Sequence, residues 1–181
     1  MKKRWLIIGG VLLIIVASTL TARMSDEKRS TVNLQEYTLT DLPITLSIPA
    51  TTTVKEDIIE DKREVVFSSY LNDKKLNYWG HIQVWNVDNL EKFLDSSKST
   101  SVYNFIEYTK ERIKINNLEG FLVKWTATFQ NDRTITSQEY FLKKEGSKEV
   151  LRISFLVNGD KIDQGLHEVI KQVIASVKWA K

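Results

Sequence analysis

Residues Phe121 to Val157 carry the clearest secondary-structure pattern and read FLVKWTATFQNDRTITSQEYFLKKEGSKEVLRISFLV. Apolar and polar residues alternate in three runs within it, and alternation at period two is typical of half-buried β-strands. The runs cover Phe121–Phe129, about 133–143 and Leu151–Val157, with short polar stretches between them. Because short connections join antiparallel neighbours, the sequence predicts a three-stranded antiparallel meander.

A helix is predicted directly after this meander. Asn158-Gly159-Asp160 ends the last strand, with Asp160 as the expected N-cap and Asp163 in the first turn, where the helix dipole favours an acid. The following apolar residues recur at helical spacing and form one stripe that packs on a sheet. They are Ile162, Leu166, Val169, Ile170, Val173, Ile174 and Val177.

Upstream of the meander the signals are first strand-like. Strands are expected over Tyr37–Leu39 and Ile44–Ile48, and Pro49 ends the second because proline cannot donate a hydrogen bond to a ladder. A hairpin is expected to join Glu64–Leu71 to Leu76–Val87 through a polar turn.

Two helices are predicted between that hairpin and the meander. The first starts at Asp88 as N-cap, with Glu91 three residues later, and the second covers Val102–Lys110. The whole order predicts an α+β domain over residues 36–181, an antiparallel β-sheet with helices packed on both faces.

The first 24 residues carry the pattern of an export signal. Lys2-Lys3-Arg4 precedes the uncharged stretch Leu6–Ala22, whose 17 residues span about 25 Å as a helix. Basic residues before an apolar run favour a cytoplasmic N-terminus and an exported body. An uncleaved transmembrane anchor over 1–24, which contacts the lipid bilayer, is favoured, with residues 25–35 as a polar linker. Its membrane residues are Trp5, Leu6, Ile7, Ile8, Val11, Leu12, Leu13, Ile14, Ile15 and Val16.

A cleaved secretory signal is the main alternative to the anchor. Cleavage prefers small residues at positions −3 and −1, so a cut after Ala22 is disfavoured by Leu20, whereas a cut after Ser18 is tolerable. A buried cytosolic helix is the third possibility. Either of the first two places the body of the chain outside the cytoplasm.

Composition excludes several classes of function. Four of the 26 basic residues lie in the first 24 positions, which leaves 22 basic and 23 acidic residues after them. A near-neutral body gives no electrostatic case for nucleic-acid binding. The chain has no cysteine and only 2 histidines, so disulfides and thiolate metal sites are excluded and a multi-histidine metal site is disfavoured. We expect no cofactor.

The order of these elements resembles the PsbP-like family, whose fold is an α/β/α sandwich shared with the Mog protein. The resemblance covers about residues 36–179 and includes the Ile48-Pro49 step, the capped helix at Asn86–Leu94, the turn at Ile115–Phe121 and the helix that ends at Ile174–Lys178. It implies a non-enzymatic protein, since family members in photosynthetic membranes are extrinsic proteins that steady a larger complex. Many bacterial relatives are exported and membrane-tethered.

The candidate binding surface lies in Trp79-Gly80-His81-Ile82-Gln83-Val84-Trp85. At period two, Trp79, His81, Gln83 and Trp85 share one face of the strand. Two tryptophans beside a histidine and a glutamine suit contact with a small molecule or a protein. The alternative is a half-buried face under a helix, with His81 hydrogen-bonded.

Signals for catalysis or metal binding are weak. The sequence holds no Gly-x-Ser-x-Gly, no glycine-rich phosphate loop and no His-Glu-x-x-His. His167 has acids nearby on its helix, and acids cluster at 56–61, but neither set has the spacing of a metal site. We therefore expect a non-enzymatic, membrane-tethered extracytoplasmic binding module, an accessory to an unidentified protein complex. The alternatives are a small-ligand or metal-binding exported sensor or carrier, and a cryptic hydrolase.

Overall fold

The structure is a computed structural model that describes residues 32–129 and 133–180. The anchor predicted over 1–24 and most of the predicted linker lie outside the described residues. The described part contains β1 Leu34–Thr38, β2 Ile44–Pro49, β3 Thr53–Glu56, β4 Val65–Asp73, β5 Tyr78–Asn86, α1 Leu90–Ser99, β6 Asn104–Ile115, β7 Leu118–Phe129, β8 Arg133–Lys143, β9 Glu149–Asn158, α2 Gln164–Ala175 and β10 Lys178–Trp179. Neither of its two helices has the length and apolar character needed to cross a bilayer.

A seven-stranded antiparallel sheet forms the body of the domain, in the order β3-β4-β5-β9-β8-β7-β6. The predicted meander is confirmed as β7-β8-β9, which lies between β5 and the edge strand β6. The predicted hairpin is confirmed as β4-β5, which joins the meander where His81 of β5 lies opposite Ser154 of β9. The strand that carries the candidate surface is therefore a central strand.

A second sheet of three short strands has the order β1-β2-β10. β1 and β2 are the two strands predicted before Pro49, although β1 begins at Leu34, inside the segment predicted as linker. β10 pairs with β2 through Lys178 and Trp179 and was not predicted, because two residues are too few to show a period. The four-residue β3 was missed for the same reason.

The two helices pack on opposite faces of the large sheet. Ile82 of β5 belongs to the hydrophobic core that also contains Ile170 of α2. Trp85 stands three residues after Ile82 on β5 and packs against a second core that contains Leu94 of α1. Because neighbouring strand residues point to opposite faces, α2 and α1 cover different sides. The antiparallel α+β architecture is confirmed.

The helix predicted over Val102–Lys110 is wrong, because this segment runs into β6, the edge strand beside β7. The register shifts between Phe105 and Glu107, and the extra residue of such a bulge breaks the period-two pattern. Phe105 and Tyr108 consequently pack on the same core although they are three residues apart, which imitates helical spacing. Ile106, which directly follows Phe105, is 62% exposed.

Both predicted N-caps are displaced. The N-cap of α1 is Asn89, whose side chain accepts a hydrogen bond from the Lys92 backbone N–H, whereas Asp88 pairs with Lys148 instead. The N-cap of α2 is Asp163 and not Asp160, since Asp163 Oδ1 accepts from the Leu166 N–H at 3.0 Å. In both helices the N-cap is an acceptor side chain that stands one to three residues after the predicted one.

One glycine is required by the close approach of two strands. A Cβ atom at Gly80 of β5 would lie 1.8 Å from the backbone oxygen of Ser154 on β9. This separation is far inside van der Waals contact, so no side chain fits there. The absence of a Cβ lets β5 pair with β9 beside the candidate surface.

Candidate binding groove

The four residues of the predicted surface lie on the α1 side of β5. Trp79 and Trp85 pack against the core on that side, and the ring of Trp85 lies 5.7 Å from that of Phe93 on α1. His81 and Gln83 stand between the two tryptophans, and all four side chains are half-buried. The tryptophans flank the two polar groups, as the spacing predicts.

Beside α1 this face of the sheet is open. A groove of about 350 Å³ lies between α1, the segment 101–105 and the strands β5, β6, β7, β8 and β9. We call it the α1 groove. Its volume is near the lower end of the range for small-ligand sites, about 300 to 1,000 Å³. Two other depressions of the described part have volumes of about 530 and 540 Å³. Neither is lined by a set of aromatic rings together with a buried charge.

Packed aromatic rings form one wall of the α1 groove. Tyr103 lies 5.0 Å from Trp125 and 5.2 Å from Phe129, measured between ring centroids. Phe105 lies 5.3 Å from Tyr108 and 5.8 Å from Trp125. These are the tilted and edge-to-face arrangements that aromatic pairs prefer. The wall is therefore held by its own contacts and needs no ligand to form.

The floor of the groove contains a buried ion pair. Glu139 is 5% exposed, and its Oε1 accepts hydrogen bonds from Trp125 Nε1 at 2.7 Å and from Ser137 Oγ at 3.1 Å. Its Oε2 accepts from Arg152 Nε at 2.8 Å. Arg152 Nη1 in turn donates to Gln83 Oε1 at 2.7 Å. A buried carboxylate is costly without donors, and here every oxygen has one.

This network fixes the candidate surface. Gln83 Oε1 also accepts from Trp85 Nε1 at 3.3 Å, so one amide oxygen ties the tryptophan to Arg152. Arg152 and Glu139 both line the groove, but 24% of the Arg152 side chain is exposed and only 6% of that of Glu139. The floor thus presents mainly a guanidinium to an incoming molecule.

His81 is packed, and its surroundings favour the neutral imidazole. Burial lowers the pKa of its imidazole, and the nearby Arg152 lowers it further, against the opposing effects of Asp57 and Glu139. Its ring lies 5.6 Å from that of Tyr70 in an edge-on arrangement. The ring atom Nδ1 is buried and has no hydrogen-bond partner among residues 32–129 and 133–180. The alternative of a hydrogen-bonded His81 therefore does not hold for this atom.

Sequence reasoning missed the residues that complete the groove. Glu139 and Arg152 come from β8 and β9. The aromatic wall comes from β7 and from the segment 103–108, which the sequence predicts as a helix but which leads into β6. No clear signal marked the ion pair in the sequence. Arg152 stands between the alternating apolar residues Leu151 and Ile153, and only the register between β8 and β9 brings it to Glu139.

The other sequence candidates lie outside this groove. His167 is on α2, across the sheet, with Nδ1 3.3 Å from Gln138 Oε1, and burial together with Lys171 and Lys124 lowers its pKa. Within the described ranges, no three or more histidine, aspartate or glutamate side chains come together to hold a metal ion.

Comparison with known proteins identifies the fold. No family model matches the sequence, and no curated protein matches it either. Among solved structures, the solution structure of cyanobacterial PsbP (CyanoP) from Synechocystis sp. PCC 6803 matches with a TM-score of 0.54. The match covers 82% of this chain and 94% of that chain at 9% sequence identity. At this identity the likeness concerns the fold alone, and the domain has a PsbP-like fold.

Proposed function

We propose that this chain is a non-enzymatic binding protein, tethered to the outer side of a membrane, that serves as an accessory factor for a membrane-associated protein complex. The observation that carries the proposal is the α1 groove, an open aromatic site whose charged floor is fixed before any partner arrives. Preorganised sites of this kind lose little entropy on binding.

The titratable groups of the groove favour holding a ligand over transforming it. Both oxygens of Glu139 already accept hydrogen bonds from protein donors, and Arg152 is engaged by Glu139 and Gln83. His81 is neutral and packed on Tyr70. A general base must reach a proton of its substrate, and Glu139 lies beneath its partners.

Exposed apolar residues next in sequence to the aromatic wall support a protein partner. Val102 is 80% exposed and precedes Tyr103, and Ile106 is 62% exposed and follows Phe105. An exposed apolar edge beside a pocket of aromatic rings has the composition of a protein contact site, where aromatic anchors dominate the binding energy. The resemblance of the element order to the PsbP-like family supports an accessory role beside a larger complex.

The tether rests on the sequence of residues 1–24, which lie outside the described residues. Three basic residues ahead of the uncharged stretch Leu6–Ala22 support an anchor with a cytoplasmic N-terminus. On membrane fractionation, we expect the full chain to stay with the bilayer after an alkaline wash. Release of the chain as a processed soluble form would favour the cleaved signal.

The test of the binding role is affinity capture of the tagged full chain from its native membrane. Ser97→Trp on α1 fills the groove from its edge, and Gln172→Trp on the exposed side of α2 is the matched control. The wild type and the control should capture the same protein, and Ser97→Trp should lose at least about ten-fold of it, as hot-spot losses do. Equal capture by all three variants, or capture of no specific protein, would contradict the proposal.

A small-ligand carrier is the second candidate, because the volume of the groove is that of a small-molecule site. A ligand that binds only the folded state raises the melting temperature. A panel of small molecules and metal ions that leaves the capture of protein unchanged but raises the melting temperature of the wild type, and not of Ser97→Trp, would favour this alternative.

A further inference from the structure

Cationic groups surround the α1 groove. The Lys98 ammonium lies 4.3 Å from the ring centroid of Tyr108, and the Arg133 guanidinium lies 5.7 Å from that of Trp79. Arg152 stands over Phe141 at 5.8 Å. All three rings line the groove, so each cation is near its wall or floor.

The negative charge nearby is already engaged. Glu139 is the only carboxylate that lines the groove in the described part, and both its oxygens accept hydrogen bonds from Trp125, Ser137 and Arg152. Arg152 has five N–H groups. Two of them donate to Glu139 and Gln83, and Nη2 also lies 2.8 Å from Glu139 Oε2, which leaves two N–H groups for a ligand. The groove therefore keeps free cationic donors, and no acid other than the engaged Glu139 lines it among the described residues.

We propose that the α1 groove binds a carboxylate carried by an apolar group about as large as one aromatic residue. The carboxylate faces Arg152 and Lys98, and the apolar part lies on the wall that contains Tyr103 and Trp125. Charge complementarity selects the anion, and the packed rings select the apolar body. This inference rests on the proposed binding function and names the chemistry that the site recognises, whether a free acid or the C-terminal residue of a partner chain supplies it.

The test uses the full chain in detergent micelles with its tryptophan indole N–H signals recorded by NMR. The indoles of Trp79, Trp85 and Trp125 report on the groove, and the buried Trp179 belongs to the other core and is the internal control. The probe is 3-phenylpropionate. Its neutral amide tests the need for the charge, and acetate tests the need for the apolar part.

We expect 3-phenylpropionate to shift the groove indoles saturably at concentrations up to about 20 mM, as a weak millimolar ligand would, and to leave Trp179 unchanged. The amide and acetate should bind at least about ten-fold more weakly, since charge-assisted hydrogen bonds and apolar contact both contribute. Lys98→Gln should weaken binding about three-fold, as expected for an exposed charge, and Lys92→Gln on the same helix should not. Equal binding of acid and amide, or no shift of the groove indoles by the acid, would overturn the proposal.

A peptide that ends in phenylalanine distinguishes the two sources of the carboxylate. If the peptide with a free C-terminus binds and its C-terminal amide does not, the ligand is a chain end and the accessory role is strengthened. If only the free acid binds, the inference holds, and the protein-partner part of the proposed function fails. The carboxylate inference and the proposed function therefore fail in different ways.

Discussion

Replacing Glu139 by glutamine tests the fixed floor of the α1 groove. The substitution keeps the size of the side chain and one oxygen that can still accept from Trp125 and Ser137. It replaces the oxygen that faces Arg152 with an amide donor. The guanidinium then faces a donor in a site where Glu139 is 5% exposed.

The expected cost follows from these contacts. Removing one partner of a fully buried ion pair costs about 3–5 kcal/mol of stability. Arg152 keeps its hydrogen bond to Gln83 and has 24% of its side chain exposed, so part of its charge stays solvated. We therefore expect Glu139→Gln to lower the free energy of unfolding by about 2–3 kcal/mol, below the fully buried case.

Equilibrium urea unfolding of the full chain in mild detergent, followed by circular dichroism, measures this loss. Glu107→Gln on the exposed edge strand is the control and should stay within about 0.5 kcal/mol of wild type. The double variant Glu139→Gln with Arg152→Met should lose about 1–2 kcal/mol less stability than the sum of the two single variants, because it removes the guanidinium that Glu139→Gln leaves without a carboxylate. A loss below about 0.5 kcal/mol for Glu139→Gln would show that the pair is not buried as described.

Three further predictions concern the strands that carry the site. Gly80→Ala should leave little folded protein by circular dichroism, since its Cβ would lie 1.8 Å from the Ser154 oxygen, and a melting temperature within a few degrees of wild type would contradict the β5–β9 register. Asp73→Ala should cost about 2–4 kcal/mol in urea unfolding, because the buried carboxylate accepts from two threonine hydroxyls and two backbone N–H groups, and a neutral result would refute this role. The lowered pKa of His81 means that below pH about 6.5 the unfolded chain takes up a proton that the folded chain resists, so the wild type should lose stability relative to His81→Gln as pH falls from 8 to 5. His167 is present in both proteins and cancels, and a stability difference that is flat with pH would contradict a buried, neutral His81.

The sequence predicts best where one face of an element is buried and its period is unbroken. The runs that became β7, β8 and β9 alternate cleanly, and the stripe of α2 places Leu166, Val169, Ile170, Val173 and Ile174 in the core. These elements have both the length and the regularity that periodicity needs.

The failures have local physical causes. β6 is an edge strand with a bulge at Phe105–Glu107, so its apolar residues do not keep period two, and its helical appearance comes from that single extra residue. β3 and β10 exist because neighbouring strands pair with them, which no local pattern records. Both N-caps were misplaced by one to three residues because several acceptor residues stand near each helix start.

The sequence predicted the β5 side of the candidate site but not its ion pair. Alternation placed Trp79, His81, Gln83 and Trp85 on one side, where the structure has them beside the groove. The ion pair of Glu139 and Arg152 depends on the register between β8 and β9, which the sequence of either strand alone does not fix. Whether these residues bind a partner remains a prediction.

If a partner at the membrane lies against the α1 groove, site-specific photo-crosslinking will capture it there. A photoreactive residue at Val102 reports on the exposed edge of the groove, and the same residue at Gln172 of α2 reports on the opposite side. In native membranes we expect one reproducible crosslinked protein from position 102 and none from position 172. Crosslinks of equal yield from both positions, or only from position 172, would contradict it.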